Sequence, residues 1–228
     1  LMDIKGDLSG LAMPGSMNEH IAWRHKVIGL DYTTASIPVE LMTISNGDGV
    51  KLRATVTEFG PLLFSKILEL NATQTGVISL LFKYCDDNQL PLLDLDDIKK
   101  VLQFLINEGK EEVTAEYGAI SSASVNTILR KIIELEQQKA NIFFGEKSFD
   151  VDDLLRKQHN KGVVSIIRLN DIQDKPKLFS TFMLSMLSEI YHMLPEEGDI
   201  DIPKLVIFID EAYLIFDTAY NNLLSQIE

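Results

Sequence analysis

The residues best suited to chemistry are Asp210 and Glu211, adjacent carboxylates that end the apolar run Leu205-Val206-Ile207-Phe208-Ile209 and precede Ala212. Five apolar residues closed by Asp-Glu form a Walker B pattern. Such a run predicts a strand buried in a sheet. Its carboxyl end then opens into the crevice where α/β sheets bind ligands. There Asp210 is a hard oxygen ligand for Mg²⁺, generally through a water. Glu211 stands beside a terminal phosphate and orients or polarises the attacking water. Two carboxylates at the mouth of a buried strand are costly unless solvated or used. The alternative reading is that both are solvated and cap the next helix, and the motif alone does not decide between them.

A second group, Asp3-Ile4-Lys5-Gly6-Asp7, follows the strand-like Leu1-Met2. Asp3 is placed to face the same crevice, near the phosphates of a bound nucleotide. The competing reading is a tight turn in which Gly6 supplies an unusual backbone angle and Asp7 caps the segment after it. Spacing alone favours the turn.

No Gly-x-x-x-x-Gly-Lys-[Ser/Thr] occurs in the chain, and Gly109-Lys110 is followed by Glu111. The backbone amides and Lys that cradle phosphates are therefore not among these 228 residues. His20, His25, His159 and His192 are scattered, and no carboxylate grouping completes a zinc site around them. The acidic groups at Asp86-Asp87 and 94–97 read as solvated helix ends, and Ser121-Ser122 as a helix start rather than a nucleophile. Arg24, Arg53, Arg130 and Arg168 are surface arginines unless one of them acts in trans at a subunit boundary.

The chain that must position these groups is 46% apolar and 24% charged, an ordinary globular composition. Its one cysteine, Cys85, builds neither a disulfide framework nor a thiolate metal site, which suits a reducing cytoplasm. There is no cationic leader and no run of eighteen apolar residues, so neither a signal peptide nor a membrane span is expected. The formal charge of −13 argues against a generic nucleic-acid binder but not against a local basic surface.

A short helix is expected over 18–28. Residues 39–45 and 50–57 are strand-like and joined by Asn46-Gly47-Asp48-Gly49, which predicts a β-hairpin. From Pro61 to about Ala140 four apolar stripes predict four amphipathic helices, the third capped by Asp94 or Asp96. Strand character returns at 162–169, a long apolar helix comes next over 179–194, and the 205–209 run closes the pattern. Two fully apolar strands around a helix indicate a parallel sheet covered on both faces. The expected division is 1–60 as the first part of a core with the hairpin, 61–145 as a helical insert, and 146–228 as the second part of the core. A start in mid-strand and an end in mid-helix predict a piece of a longer chain.

Several stretches resemble a known family. Asp3-Ile4-Lys5-Gly6-Asp7-Leu8-Ser9-Gly10-Leu11 is similar to the segment after the P-loop helix in the YjgR-type branch of HerA-like ATPases. Arg53-Ala54-Thr55-Val56-Thr57-Glu58-Phe59-Gly60-Pro61-Leu62-Leu63 looks like the same family. So do Tyr117-Gly118-Ala119-Ile120-Ser121-Ser122-Ala123-Ser124-Val125, Leu135-Glu136-Gln137-Gln138 and Phe143-Phe144-Gly145-Glu146. Pro203-Lys204 with the 205–212 motif continues the series in the same order. The resemblance implies an α/β RecA-like P-loop ATPase core of the HerA/FtsK type, with a mostly parallel sheet and an α-helical insert. It implies ATP and Mg²⁺ as cofactors, Asp210 as metal ligand and Glu211 as catalytic residue. It further implies a hexameric ring suited to DNA translocation, with DNA in its channel. Relatives usually carry His where this chain has Tyr213, which puts one coupling role in doubt. The competing reading is a regulatory or scaffold protein that keeps the core without hydrolysing nucleotide. A third is a helical insert that binds a partner protein.

Overall fold

The computed structural model describes residues 1–172, 175–194, 198 and 201–210, with backbone only at 176, 177, 180, 181 and 184. Its strands are β1 (Met2–Asp3), β2 (Val39–Thr43), β3 (Val50–Lys51), β4 (Lys157–Gln158), β5 (Lys161–Gly162) and β6 (Val164–Arg168). Four of them form one sheet in the order β1-β6-β2-β3, and every pair in it is parallel. β4 and β5 make a separate antiparallel ribbon. Ile209 bridges Met2 in parallel, so the 205–209 run lies outside β1 at the edge of the sheet. The Met2 N–H donates to Phe208 O at 2.9 Å and the Asp210 N–H to Met2 O at 3.4 Å.

The β2–β3 connection corrects the expected hairpin. Met42 pairs with Val50 and Thr43 with Lys51, so the strands run the same way. The Asn-Gly-Asp-Gly stretch does not fold directly back. Thr43 Oγ1 accepts from the Ser45 N–H at 3.1 Å, and Ser45 Oγ accepts from the Gly47 N–H at 3.0 Å. Ser45 Oγ also donates to the Asp171 carboxylate, which anchors the loop beyond the strand ends. The chain then curls back and re-enters beside Leu41. Gly49, with φ +136°, makes that passage possible: a Cβ there would lie 2.8 Å from Leu41 O. Gly49→Ala is expected to cost about 1–3 kcal/mol in urea unfolding, the usual range for a strained backbone position. A cost below about 0.5 kcal/mol would show that the loop relaxes freely.

Seven α-helices occur among the described residues: α1 (Glu19–Ile28), α2 (Val56–Ile67), α3 (Ala72–Asp87), α4 (Leu95–Ile106), α5 (Lys110–Tyr117), α6 (Ser122–Gln137) and α7 (Pro176–Met193). α2 takes over residues 56–57, which by composition read as strand. Thr55 caps it, and Glu58 reaches back to complete a capping box. Similar boxes start α3 at Asn71 and α4 at Asp94. Gly60, with φ 64°, breaks α2 before Pro61 and resets its helical phase. Phe59, Phe64 and Ile67 turn inward, while Leu62, two residues from Phe64 and five from Ile67, is 67% exposed. α5 is a fifth helix in the region where four were expected. Half of its residues are charged and it buries only Val113, so it carries no stripe to read.

Helices α2–α4, α6 and α7 share one apolar core with the sheet residues Met2, Met42 and Ile167. At its centre Phe64 packs near Phe82 and Phe144, with ring centroids 6.3 and 6.2 Å away. The 205–209 run is less embedded than its composition implies. Phe208 is 60% exposed, and only Ile209 makes a β-bridge. Among the described residues, only β1 pairs with this run. Beside it a cavity of about 740 Å³ opens, lined by Met186, Ile190 and residues 202–208 among others.

Candidate functional site

Parallel pairing aligns the carboxyl ends of the strands. Asp3 pairs with Arg168, Arg168 with Thr43, and Thr43 with Lys51. The Met2–Ile209 bridge carries Asp210 to the level of Asp3. The result is one register row: Asp210, Asp3, Arg168, Thr43, Lys51. The bridge sets the backbone of Asp210 beside that of Asp3 at the carboxyl end of the sheet, the end at which α/β sheets bind ligands.

Asp3 is 1% exposed, and its carboxylate is fully engaged in shaping the following turn. Oδ1 accepts from the Gly6 N–H at 2.7 Å and Oδ2 from the Leu8 N–H at 3.2 Å. Gly6 has φ +81°, as the turn reading requires. Asp7 stands at the N-cap of the 3₁₀ turn Leu8–Ala12, but its side chain makes no capping bond, contrary to the sequence reading. Asp210 is half-buried. Glu211 and Tyr213 lie outside the described residues. The structure thus brings Asp3 and Asp210 together and describes the approach to Glu211 up to its preceding residue.

Arg168 and Thr43 were not singled out by sequence reasoning as neighbours of Asp3. Arg168 is half-buried, with Nη1 donating to Asp48 O at 3.4 Å, and Thr43 Oγ1 lies 2.9 Å from Ser45 Oγ. Each stands at the end of its strand. That common position was the available signal, but the strand order needed to use it is not written in the sequence.

The donor set can be tested against Mg²⁺. Among the described residues no three His, Cys, Asp or Glu side chains form a cage for a metal ion. Mg²⁺ in nucleotide sites is held by one or two carboxylates and completes its octahedron with phosphate oxygens and water. Asp3 accepts from two backbone amides, and Asp210 is the second carboxylate at this end of the sheet. The pair therefore fits an ion that arrives with a polyphosphate.

The family model for the helicase HerA-like C-terminal domain matches residues 1–228. The chain belongs to the HerA-like helicase C-terminal family. No curated protein and no solved structure matches it. The parallel α/β architecture of this HerA-like chain agrees with a RecA-like core. The match covers every stretch that carried the resemblance, from Asp3 to Ala212.

Proposed function

We propose that this HerA-like chain supplies the metal- and water-handling half of an ATP-hydrolysing site, in a ring-forming motor of the HerA/FtsK type that acts on DNA. Family membership supports a motor ATPase. The observation that carries the reading is the Met2–Ile209 bridge, which puts Asp210 next in line to buried Asp3 at the carboxyl end of a parallel sheet.

In this reading Asp210 holds Mg²⁺, which on binding would neutralise charge on the β- and γ-phosphates. Asp3 fixes the floor beside the phosphates through its bonds to Gly6 and Leu8. Glu211, next in the chain, aligns a water with the γ-phosphorus and accepts its proton as the bond to ADP breaks, leaving ADP and phosphate. The phosphate cradle must come from amides and a Lys outside these 228 residues, because no such motif lies within them. A hexamer with ATP between subunits and a cytoplasmic location belong to the same proposal. No helix among the described residues is long and apolar enough to cross a membrane.

Tyr213, in place of the usual His, favours a second reading: a scaffold that binds nucleotide without turning it over. Phosphate release separates the two. Turnover lost in Glu211→Gln with ATP still bound supports the enzyme, and no turnover in the unmodified protein supports the scaffold.

A further inference from the structure

Helix α1 is well formed and buries nothing. Its ends are closed: Asn18 Oδ1 accepts from the Ile21 N–H at 2.9 Å, and Gly29 in the left-handed region returns its N–H to His25 O. Yet it has only ten residues, and isolated helices shorter than about 12–15 residues are marginal in water. Such a helix needs a packing partner. Its inner side offers half-buried Ile21 and His25, the latter stacked on Tyr32 at 4.6 Å. Its outer side carries Trp23 and Val27, four residues apart, 64% and 57% exposed. Met17 and Leu30, just outside the two caps, are exposed as well. Arg24 and Lys26 exceed the single acidic residue of the helix, Glu19, in a chain of net charge −13.

Two cations around an apolar stripe make a poor phosphate-binding surface and a good protein-binding one. The same chain offers the complementary surface. At the end of α3 and along α5, Asp86, Asp87, Glu112 and Glu116 gather about Lys83, Tyr84 and Tyr117. Lys83 pairs with Asp87, and Tyr117 Oη donates to Asp87 Oδ2 at 2.8 Å. Asp86 and Glu116 act on Lys83, raising its pKa behind the larger effect of Asp87. Exposed Leu90 follows directly. Lys83 is the cation that pairs there, and among the described residues no ion pair joins these carboxylates to α1.

We infer that α1 of one copy docks its Trp23–Val27 stripe on the acidic α3–α5 corner of a second copy. Different patches meet in such a contact, so it is heterologous and generates rings where the rotation closes. The inference rests on the ring reading for its biological sense and names the surface that builds the ring. It needs neither ATP nor Mg²⁺, so its failure leaves the Glu211 test untouched.

Trp23 is the only tryptophan, which makes the contact directly visible. Light scattering across the micromolar range should show mass rising with concentration. Trp23 emission should shift to the blue and its acrylamide quenching fall in parallel. Arg24→Glu with Lys26→Glu should weaken association by at least about tenfold. Adding Glu112→Lys and Glu116→Lys should restore it. Trp23→Ser with Val27→Ser should leave a monomer with an unchanged urea midpoint, since no α1 residue is buried. A wild-type chain that stays monomeric overturns the inference, as does association indifferent to the α1 variants or unrestored by the charge swap. A shift of Trp23 emission produced only by added duplex DNA or by another protein overturns it equally.

Discussion

Glu211→Gln retains MgATP binding and lowers phosphate release by about 10²–10⁴-fold in the protein that carries the phosphate cradle, the usual loss for a missing general base. The amide keeps the size and hydrogen-bonding reach of the carboxylate but does not accept a proton at neutral pH. Water is then positioned without being activated. On the proposed reading binding survives, because the metal is assigned to Asp210 and the phosphates to the cradle, both untouched by the substitution. The Met2–Ile209 bridge puts Asp210 in line with Asp3 at the carboxyl end of the sheet. Turnover and affinity are to be measured on the same preparation. Unchanged turnover removes Glu211 from the mechanism, and lost binding reassigns it to the nucleotide grip.

Phe64→Ala is expected to destabilise the fold by about 3–5 kcal/mol, against a usual total of about 5–15. Phe64 is fully buried and lies near Phe82 of α3 and Phe144. Phe144 also meets Phe59 of α2 and Phe143, and Phe143 stands edge-on to Phe182 of α7. This aromatic cluster joins α2, α3 and α7 around the residues that bridge Ala54 to Phe144. Removing one ring leaves a cavity whose rigid neighbours cannot refill it. Equilibrium urea unfolding measures the effect, and a loss below about 1.5 kcal/mol would show a core that repacks.

Much of the fold is legible in the sequence. α3, α4 and α6 follow their apolar stripes, and Asp94 caps α4 as its side chain predicts. The strands at 164–168 and 39–43 lie where β-branched residues cluster. The misreadings share one physical cause: a tertiary or capping contact overrides local preference. Asn46-Gly47-Asp48-Gly49 has hairpin chemistry, but the Ser45–Asp171 bond holds the loop beyond the strands. Residues 56–57 are β-branched, yet the Thr55–Glu58 capping box claims Val56 and Thr57 for a helix. At the site, Asp210 announces itself at the end of an apolar run. Its neighbour Asp3 is 207 positions away in the chain, and Arg168 joins them only through strand order. Register is a property of the assembled sheet, so no local pattern encodes that row.

The central claim is that Asp210 and Glu211 handle metal and water but cannot grip a triphosphate. Both are anionic, and the loop amides and Lys of a phosphate cradle are not among these residues. Calorimetric titration of the 228-residue chain with MgATP, paired with a phosphate-release assay, tests this directly. The account predicts binding no tighter than millimolar and no release of phosphate. Micromolar binding with turnover, abolished by Asp210→Ala, would contradict it.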